Sequence, residues 1–337
     1  YFKFIWLCLI LVNSLIKLNE CIELKNRPLV AILSQKYYSQ PSKSYIAASY
    51  VKFVESAGAR VIPVMIDRDE NYYRDIINKT NGLLIPGGGQ DLLTSGYAKA
   101  GRLLWQLSTT EFKDRKYPIW GTCLGFELII QFYANNTLSD CDAIDVSNSL
   151  TFVEPIQDSR LLQDKSIVEI LAGQEVTYNY HKKCLTLETF NKTPELKKNL
   201  RLLSTNKDKK GLDYVSMFES INYPIYGVQW HPEKNPFEFA YNAKYLNIPH
   251  NSSAIKVSQY MSSFFVDECR KSVHPIVNAK EESDSLIYNY QPVYTGGKTN
   301  YTYEQIYLFN SHKPNHWSVS IGFLIITVIL VLNLSVI

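Results

Sequence analysis

Cys123 stands in a segment whose residue types suit nucleophilic catalysis. Residues 120–127 place it between small residues, after a short apolar run and before a helical pattern. A nucleophile on a sharp strand-to-helix turn is exposed above the sheet, as in hydrolases with a nucleophile elbow. The helix that follows favours the thiolate, and its first free N–H groups can stabilise an oxyanion. A lone cysteine is more often a buried apolar residue, so the segment needs partners.

A second segment, residues 225–233, supplies a base and a carboxylate. It is typical of a strand, and it closes on His-Pro-Glu. His231 and Glu233 are two residues apart, so an extended backbone directs both side chains to one face. The carboxylate can then orient the imidazole and stabilise its cation, as the third member of a triad does. Together with Cys123, this pair predicts a Cys-His-Glu catalytic set.

A third segment ends in a run of glycines at residues 87–89. Without side chains, their backbone N–H groups can approach a substrate closely. A flexible turn is the alternative interpretation of such a run. The glycines follow an apolar stretch at residues 82–86, so they too lie where a strand is predicted to end.

The elements that carry these segments alternate between strand and helix. Strands are predicted at residues 28–33, 61–65, 82–86 and 118–121, and helices at 45–57, 97–107 and 124–133. This order predicts parallel βαβ units in a layered α/β/α domain with a central, mostly parallel sheet. Ligands bind at the carboxyl ends of the strands in such sheets. Pro63 predicts that the second strand lies near an edge or ends there.

Composition excludes several classes of protein. The chain has 337 residues, of which 46% are hydrophobic and 20% charged, and this argues against collagen-like and wholly disordered chains. A formal net charge of +3 is too small to indicate a nucleic-acid partner. Six cysteines are too few for a disulfide-built scaffold. No cluster has zinc-ligand spacing, so we expect neither a metal nor a cofactor.

Both ends of the chain are apolar. Residues 1–20 are typical of a secretory signal peptide, and the absence of an initial Met predicts a truncated N-terminus; a buried helix is the alternative. Residues 318–337 carry no charge and nearly match the thickness of a bilayer. They are either a retained membrane anchor, which we favour, or a lipid-anchor signal that is removed.

Secretion would place the middle of the chain in an oxidising, glycosylating compartment. Five Asn-x-Ser/Thr acceptors occur there: Asn78, Asn135, Asn191, Asn251 and Asn300. Disulfides among Cys141, Cys184 and Cys269 are allowed, but the sequence does not pair them. The expected location is the extracellular space or a lysosome or vacuole, with membrane association if the tail is retained.

The three site segments resemble class I glutamine amidotransferase-like domains. Longer matches are closer to the γ-glutamyl hydrolase family and run from about residue 27 to 310. The segments that carry this resemblance are residues 45–52, 55–61, 120–127, 226–234, 286–288 and 292–296. The apolar tail departs from the family's soluble pattern, which puts in doubt the location and not the chemistry.

This resemblance implies cysteine-dependent hydrolysis of γ-glutamyl isopeptide bonds in folate polyglutamates through a thioester. It implies an oxyanion site formed by Gly88, Gly89 and Leu124, and a small-molecule partner. His181 is a candidate substrate contact, as are Lys36, Lys43 and Lys182. Assembly as a homodimer stays open. Two alternatives also stay open: a glutaminase that supplies ammonia to a synthase, and an inactive membrane-tethered binding protein.

Overall fold

The computed structural model describes residues 26–239, 245–272, 278–297 and 302–310. Its strands are β1 (Leu29–Leu33), β2 (Gln35–Lys36), β3 (Lys43–Ala47), β4 (Arg60–Val64), β5 (Gly82–Ile85), β6 (Ile119–Thr122), β7 (Ser139–Asn148), β8 (Thr151–Phe152), β9 (Thr177–Cys184), β10 (Leu200–Lys207), β11 (Asp213–Ser220), β12 (Ile225–Val228), β13 (Pro292–Tyr294) and β14 (Gln305–Asn310). Its α-helices are α1 (Ala48–Glu55), α2 (Glu70–Lys79), α3 (Gly96–Thr109), α4 (Leu124–Tyr133), α5 (Lys165–Gly173), α6 (Leu187–Lys192), α7 (Pro194–Asn199), α8 (Lys234–Phe237), α9 (Ser252–Lys271) and α10 (Ala279–Ser285).

The main sheet orders its eight strands as β4-β1-β5-β6-β12-β11-β10-β8. Strands β4, β1, β5, β6 and β12 are parallel to one another. Strands β11, β10 and β8 continue the sheet in antiparallel pairs. The prediction of a mostly parallel central sheet is therefore confirmed. Pro63 lies in β4, which is an edge strand as predicted, so its missing N–H interrupts no second ladder.

Helices cover both faces of this sheet. Within β1, Ala31 and Leu33 pack with side chains of α2, α3 and α4, whereas Val30 and Ile32 pack with α1 and α9. The alternation follows from the two-residue period of a strand. Full burial of one Leu, Ile or Val side chain contributes about 1.5–3 kcal/mol, so both faces need a helical cover. The layered α/β/α fold predicted from the sequence is confirmed.

The first predicted helix begins later than the sequence pattern indicates. Residues 45–47 belong to β3, and α1 starts at Ala48. Strand β3 pairs with β14, and together with β13 and β2 they form a second, four-stranded sheet. Because β14 comes from the far end of the chain, local periodicity carries no trace of this pairing. The pairing places Tyr45 of β3, and Tyr303 just before β14, beside the functional site.

The three chemistry-bearing segments meet at one edge of the main sheet. Strands β5, β6 and β12 are neighbours and run parallel, so their carboxyl ends lie side by side. Gly87, Cys123 and His231 follow those three ends. A separate two-stranded sheet, β7–β9, borders the same edge, because the His231 N–H donates to the Tyr178 carbonyl of β9.

Predictions about the chain ends concern residues that the structure leaves undescribed. The signal peptide at residues 1–20 and the apolar segment at 318–337 lie outside the described residues. Within the described ranges, none of the helices combines the length and the apolar character that crossing a bilayer requires. Of the predicted glycosylation acceptors, Asn135, Asn191 and Asn251 are exposed, Asn78 is half-buried, and Asn300 is outside the described residues.

Candidate active site

Cys123 occupies a strained turn between β6 and α4. Its φ of 51° and ψ of −106° lie in a region that residues with a Cβ rarely adopt. The turn is held from both sides, because the Cys123 N–H donates to the Val228 carbonyl and its own carbonyl accepts from the Glu127 N–H, each at 2.9 Å. The surrounding hydrogen bonds thus fix the position of the sulfur at the end of the sheet.

His231 and Glu233 form a buried pair beyond the end of β12. The Nδ1 of His231 donates to the Glu233 Oε1 at 2.7 Å. Only 4% of His231 and 0% of Glu233 are exposed. Burial lowers the pKa of His231 below its usual value. The charge of Glu233 and its hydrogen bond raise the pKa, but burial outweighs them. The imidazole is therefore neutral at pH 7, and Nε2 is the ring nitrogen left for proton transfer.

Gly87 shows how closely the three segments approach one another. A Cβ at this position would lie 2.8 Å from His231 Cε1 and 3.1 Å from Cys123 Cβ. The Gly87 N–H donates to the Tyr50 hydroxyl at 2.8 Å, and that hydroxyl lies 3.4 Å from His231 Nδ1. The structure thus brings together Cys123, His231 and Glu233 around a glycine that has no room for a side chain.

Gly88 and Gly89 are exposed and line the cavity beside Cys123. A Cβ on Gly88 would lie 1.7 Å from the Gln35 Oε1, so any larger residue there would displace the Gln35 side chain. On the other side, the Leu124 N–H hydrogen-bonds to the Cys123 sulfur. The three residues predicted to hold an oxyanion therefore border the sulfur from two directions, and their role in the reaction stays a prediction.

The protonation of Cys123 differs from what the helix alone predicts. Burial raises the pKa of Cys123 well above its usual range, and the charges of Glu127 and Glu233 raise it further. The Leu124 N–H and the charge of Lys234 lower it, but burial outweighs them. The resting pair is therefore a thiol beside a neutral imidazole, so the proton must leave as the sulfur attacks.

Glu127 is a buried carboxyl directly behind this turn. It is 4% exposed, and its Oε1 accepts from the Gln229 Nε2 at 3.0 Å. Burial raises the pKa of Glu127 to about 8. At neutral pH its carboxyl group is therefore mostly uncharged, and its charge opposes ionisation of Cys123 only above about pH 8.

A cavity of about 240 Å³ opens beside Cys123. Its lining residues are Tyr45, Gly88, Gly89, Cys123, Tyr180, His231, Lys234, Tyr245, Thr302 and Tyr303. Sequence reasoning missed the tyrosines, because they come from four separate segments of the chain that only the fold brings together.

Lys234 is the cation that this cavity presents. It is 2% exposed, and within the described ranges its Nζ has no hydrogen-bond partner. The Nζ lies 4.6 Å from the ring centroid of Tyr303 and 5.6 Å from that of Tyr245. The two rings stabilise the ammonium group in part, but a buried ammonium group without a hydrogen bond is costly, so the site favours an anionic ligand. Sequence reasoning missed Lys234 as well, although it directly follows Glu233.

The substrate contacts predicted from the sequence do not line this cavity. His181 is 5% exposed, and its Nδ1 lies 2.9 Å from the Lys183 carbonyl oxygen. Burial lowers the pKa of His181 to about 3. Neither His181 nor the predicted cations Lys36, Lys43 and Lys182 are among the cavity-lining residues. A contact between His181 and substrate stays a prediction.

The sequence model of the Peptidase C26 family matches residues 28–233. The chain belongs to this family. The matched range contains Cys123, His231 and Glu233, and it ends one residue before Lys234.

Curated relatives match this Peptidase C26 chain over most of its length. It is 41% identical to the γ-glutamyl hydrolase of Homo sapiens over 293 residues, which cover 84% of this chain and 90% of the relative. It is 36% identical to γ-glutamyl hydrolase B of Dictyostelium discoideum, with 92% and 90% covered. It is 33% identical to γ-glutamyl hydrolase 1 of Arabidopsis thaliana, with 86% and 85% covered. The resemblance predicted from the site segments is confirmed.

Among solved structures, the chain is similar to the glutaminase domain of Trypanosoma brucei CTPS with bound acivicin. The TM-score is 0.48 at 15% sequence identity, and the match covers 74% of this chain and 96% of that domain.

Proposed function

We propose that this Peptidase C26 chain hydrolyses γ-glutamyl isopeptide bonds in folate polyglutamates and related substrates, through a thioester on Cys123. The observation that carries the proposal is the convergence of Cys123, the His231–Glu233 pair and the buried Lys234 on one cavity. Relatives with 33–41% identity are named γ-glutamyl hydrolases.

The first step follows from the protonation of the resting pair. As Cys123 Sγ attacks the γ-carbonyl carbon, its proton passes to His231 Nε2, and Glu233 stabilises the imidazolium that forms. The carbonyl oxygen becomes an oxyanion, which we expect the N–H groups of Leu124 and the Gly88–Gly89 turn to bind. Loss of one such donor typically costs about 3 kcal/mol of transition-state stabilisation.

In the following steps His231 passes this proton to the leaving amine and then activates the water that hydrolyses the thioester. The imidazolium of His231 protonates the departing amine, and the C–N bond breaks to leave the thioester. The neutral imidazole then takes a proton from water, whose oxygen attacks the thioester carbon. The thiol of Cys123 leaves with that proton, and the γ-carboxylic acid is released and loses its own proton to solvent. Every other proton transfer in this scheme uses His231, so one buried base serves both halves of the reaction.

Lys234 gives the cavity its preference for a glutamyl group. The α-carboxylate of that group is a few bonds from the scissile γ-carbonyl, and Lys234 Nζ is the buried, unpartnered cation among the described residues that line the cavity. Ion pairing with a carboxylate would satisfy the ammonium group, and hydrogen bonds to charged groups contribute about 1.5–3 kcal/mol. Lys234 is therefore the residue that we assign to recognition of the substrate's α-carboxylate.

Incubating the purified chain with folate polyglutamate and, separately, with glutamine tests the proposed substrate class. We expect glutamate or glutamyl peptides to be released from the folate, and little ammonia to be released from glutamine. Hydrolysis of glutamine alone would support the glutaminase alternative, and no hydrolysis of either would support the inactive binding protein.

Lys234→Met is expected to lower kcat/KM for a substrate with a free α-carboxylate by about 10- to 100-fold, because the charged contact is lost. The informative comparison is a substrate whose α-carboxylate is amidated. The wild-type enzyme should discriminate strongly against the amide, and the variant should treat the two substrates nearly alike. Lys256→Met, at an exposed position, is the matched control. Unchanged discrimination in the Lys234 variant would remove this residue from substrate recognition.

The catalytic domain is proposed to span residues 27–310, with residues 1–20 directing it into the secretory pathway. Exposed acceptors at Asn135 and Asn191 support glycosylation. Residues 318–337 would act as a membrane anchor or as a lipid-anchor signal. Endoglycosidase treatment of protein made in eukaryotic cells should lower its apparent mass, and an unchanged mass would argue against this route.

A further inference from the structure

Two cysteines outside the catalytic set lie together in the small β7–β9 sheet. Ser139 of β7 is directly opposite Cys184 of β9, and Cys141 follows two residues later on β7. Cys141 packs against a buried cluster made of Ala143, Cys184 and Tyr214. The two sulfurs therefore belong to adjacent antiparallel strands and to the same packed cluster.

The contact between these sulfurs is direct. A hydrogen bond between the thiols raises the pKa of Cys141. Both are free thiols in the structure. Cys141 is half-exposed, whereas Cys184 is 0% exposed. A soluble oxidant can therefore reach Cys141, and Cys184 is the nearest buried partner to resolve the product.

We propose that Cys141 and Cys184 form a reversible disulfide across β7 and β9. Cys141 lies two residues beyond the position opposite Cys184, at a register irregularity of the ladder between Asp140 and Ala143. In a regular ladder such a diagonal pair is about 7–8 Å apart, and disulfides span Cα atoms about 4.4–6.8 Å apart, so the irregular stretch of β7 must bring the two backbones slightly closer for the bond to form. This inference does not depend on the proposed hydrolytic function.

The oxidant is a low-molecular-weight disulfide such as oxidised glutathione. Because its pKa is raised, Cys141 is a thiol at rest; it loses its proton to solvent as its sulfur attacks one sulfur of the oxidant, which forms a mixed disulfide and releases one thiol. The thiolate of Cys184 then attacks the Cys141 sulfur and releases the second thiol. The protein loses two electrons and two protons, and both pass to the two thiols that leave.

The Cys141–Cys184 disulfide would make the stability of strand β9, which borders the candidate active site, depend on the redox state of the surroundings. Strand β9 carries Tyr178, whose carbonyl accepts from the His231 N–H at 2.8 Å. It also carries His181, whose Nδ1 lies 3.5 Å from Cys141 Sγ. A crosslink between β7 and β9 would thus stabilise the strand that supports the catalytic histidine.

Equilibration of the full chain with oxidised glutathione at mildly alkaline pH, followed by alkylation and peptide mapping, tests the pairing. Trypsin alone leaves Cys123 and Cys141 in one peptide, but a glutamate-specific protease cuts between them at Glu127. We expect a crosslinked pair of peptides that contain Cys141 and Cys184, with Cys123 and Cys269 alkylated. Alkylation of both Cys141 and Cys184, or glutathione retained on Cys141, would overturn the proposal.

Thermal unfolding gives a second readout. Oxidation should raise the Tm by about 4 °C or more, because a crosslink over residues 141–184 restricts the unfolded chain. Reduction should reverse the shift. Cys141→Ala is the preferred variant because its position is half-exposed, and Cys141→Ser serves if the alanine variant does not fold. Both variants should show no shift on oxidation, and an equal shift in a variant would contradict the pairing.

Discussion

Cys123→Ala is expected to lower kcat for folate polyglutamate hydrolysis by at least about 1000-fold, since it removes the nucleophile and with it the thioester. Among the described residues that line the cavity, no second thiol is present that could replace it. Release of glutamate from the folate, measured under single-turnover conditions, gives the loss directly.

The control for this loss is the folded state. The variant should keep the wild-type far-UV spectrum, and its Tm should be equal or higher. The reason is that alanine, with its smaller side chain, strains the backbone at a φ of 51° no more than cysteine does. Cys123→Ser should be nearly as inactive, since a serine hydroxyl does not readily ionise. An alanine variant that retains more than a few per cent of wild-type activity would exclude Cys123 as the nucleophile.

His231→Ala is expected to be the second most damaging change, with a loss in kcat of about 100- to 10,000-fold, because one residue carries both proton transfers. Glu233→Gln should cost less, since the amide can still hold the imidazole at the 2.7 Å contact but no longer stabilises its cation. Measured kcat values for the two variants, at several pH values, test this order.

The pH profile separates the two roles. In Glu233→Gln, the raising effect of the carboxylate on the pKa of His231 is lost, so the acid limb of the kcat/KM profile should move to lower pH. His231→Ala should have no such limb. A Glu233→Gln variant that is less active than His231→Ala would reverse the assignment.

Much of the fold could be predicted because its elements are locally encoded. Helix α4 begins and ends where the sequence pattern places it, and β1 and β5 differ from the predicted strands by one residue each. Continuous apolar runs indicate strands buried on both faces wherever helices cover a parallel sheet. Strand β3 was mistaken for part of a helix, because its partner β14 lies more than 250 residues away.

The convergence of the candidate catalytic residues was equally predictable from the sequence. Cys123, His231 and Glu233 each stand at a strand end, and parallel strands bring such ends to one edge. Residue type and position were therefore enough to select them. The lining of the cavity was less predictable: Lys36, Lys43 and Lys182, which the family resemblance offered as substrate contacts, do not line it, and Lys234 does.

The sequence by itself determined which residues could act as nucleophile, base and carboxylate, and the layered sheet that would carry them, because both depend on local residue patterns. Only the tertiary structure decided the properties that depend on burial and on contacts between distant segments. It placed Lys234 beside Tyr245 and Tyr303 from distant loops, it kept the Cys123 thiol protonated against the effect of its helix, and it set Cys141 against Cys184. Desolvation and cross-strand contact are set by where distant parts of the chain pack, and no local pattern encodes them.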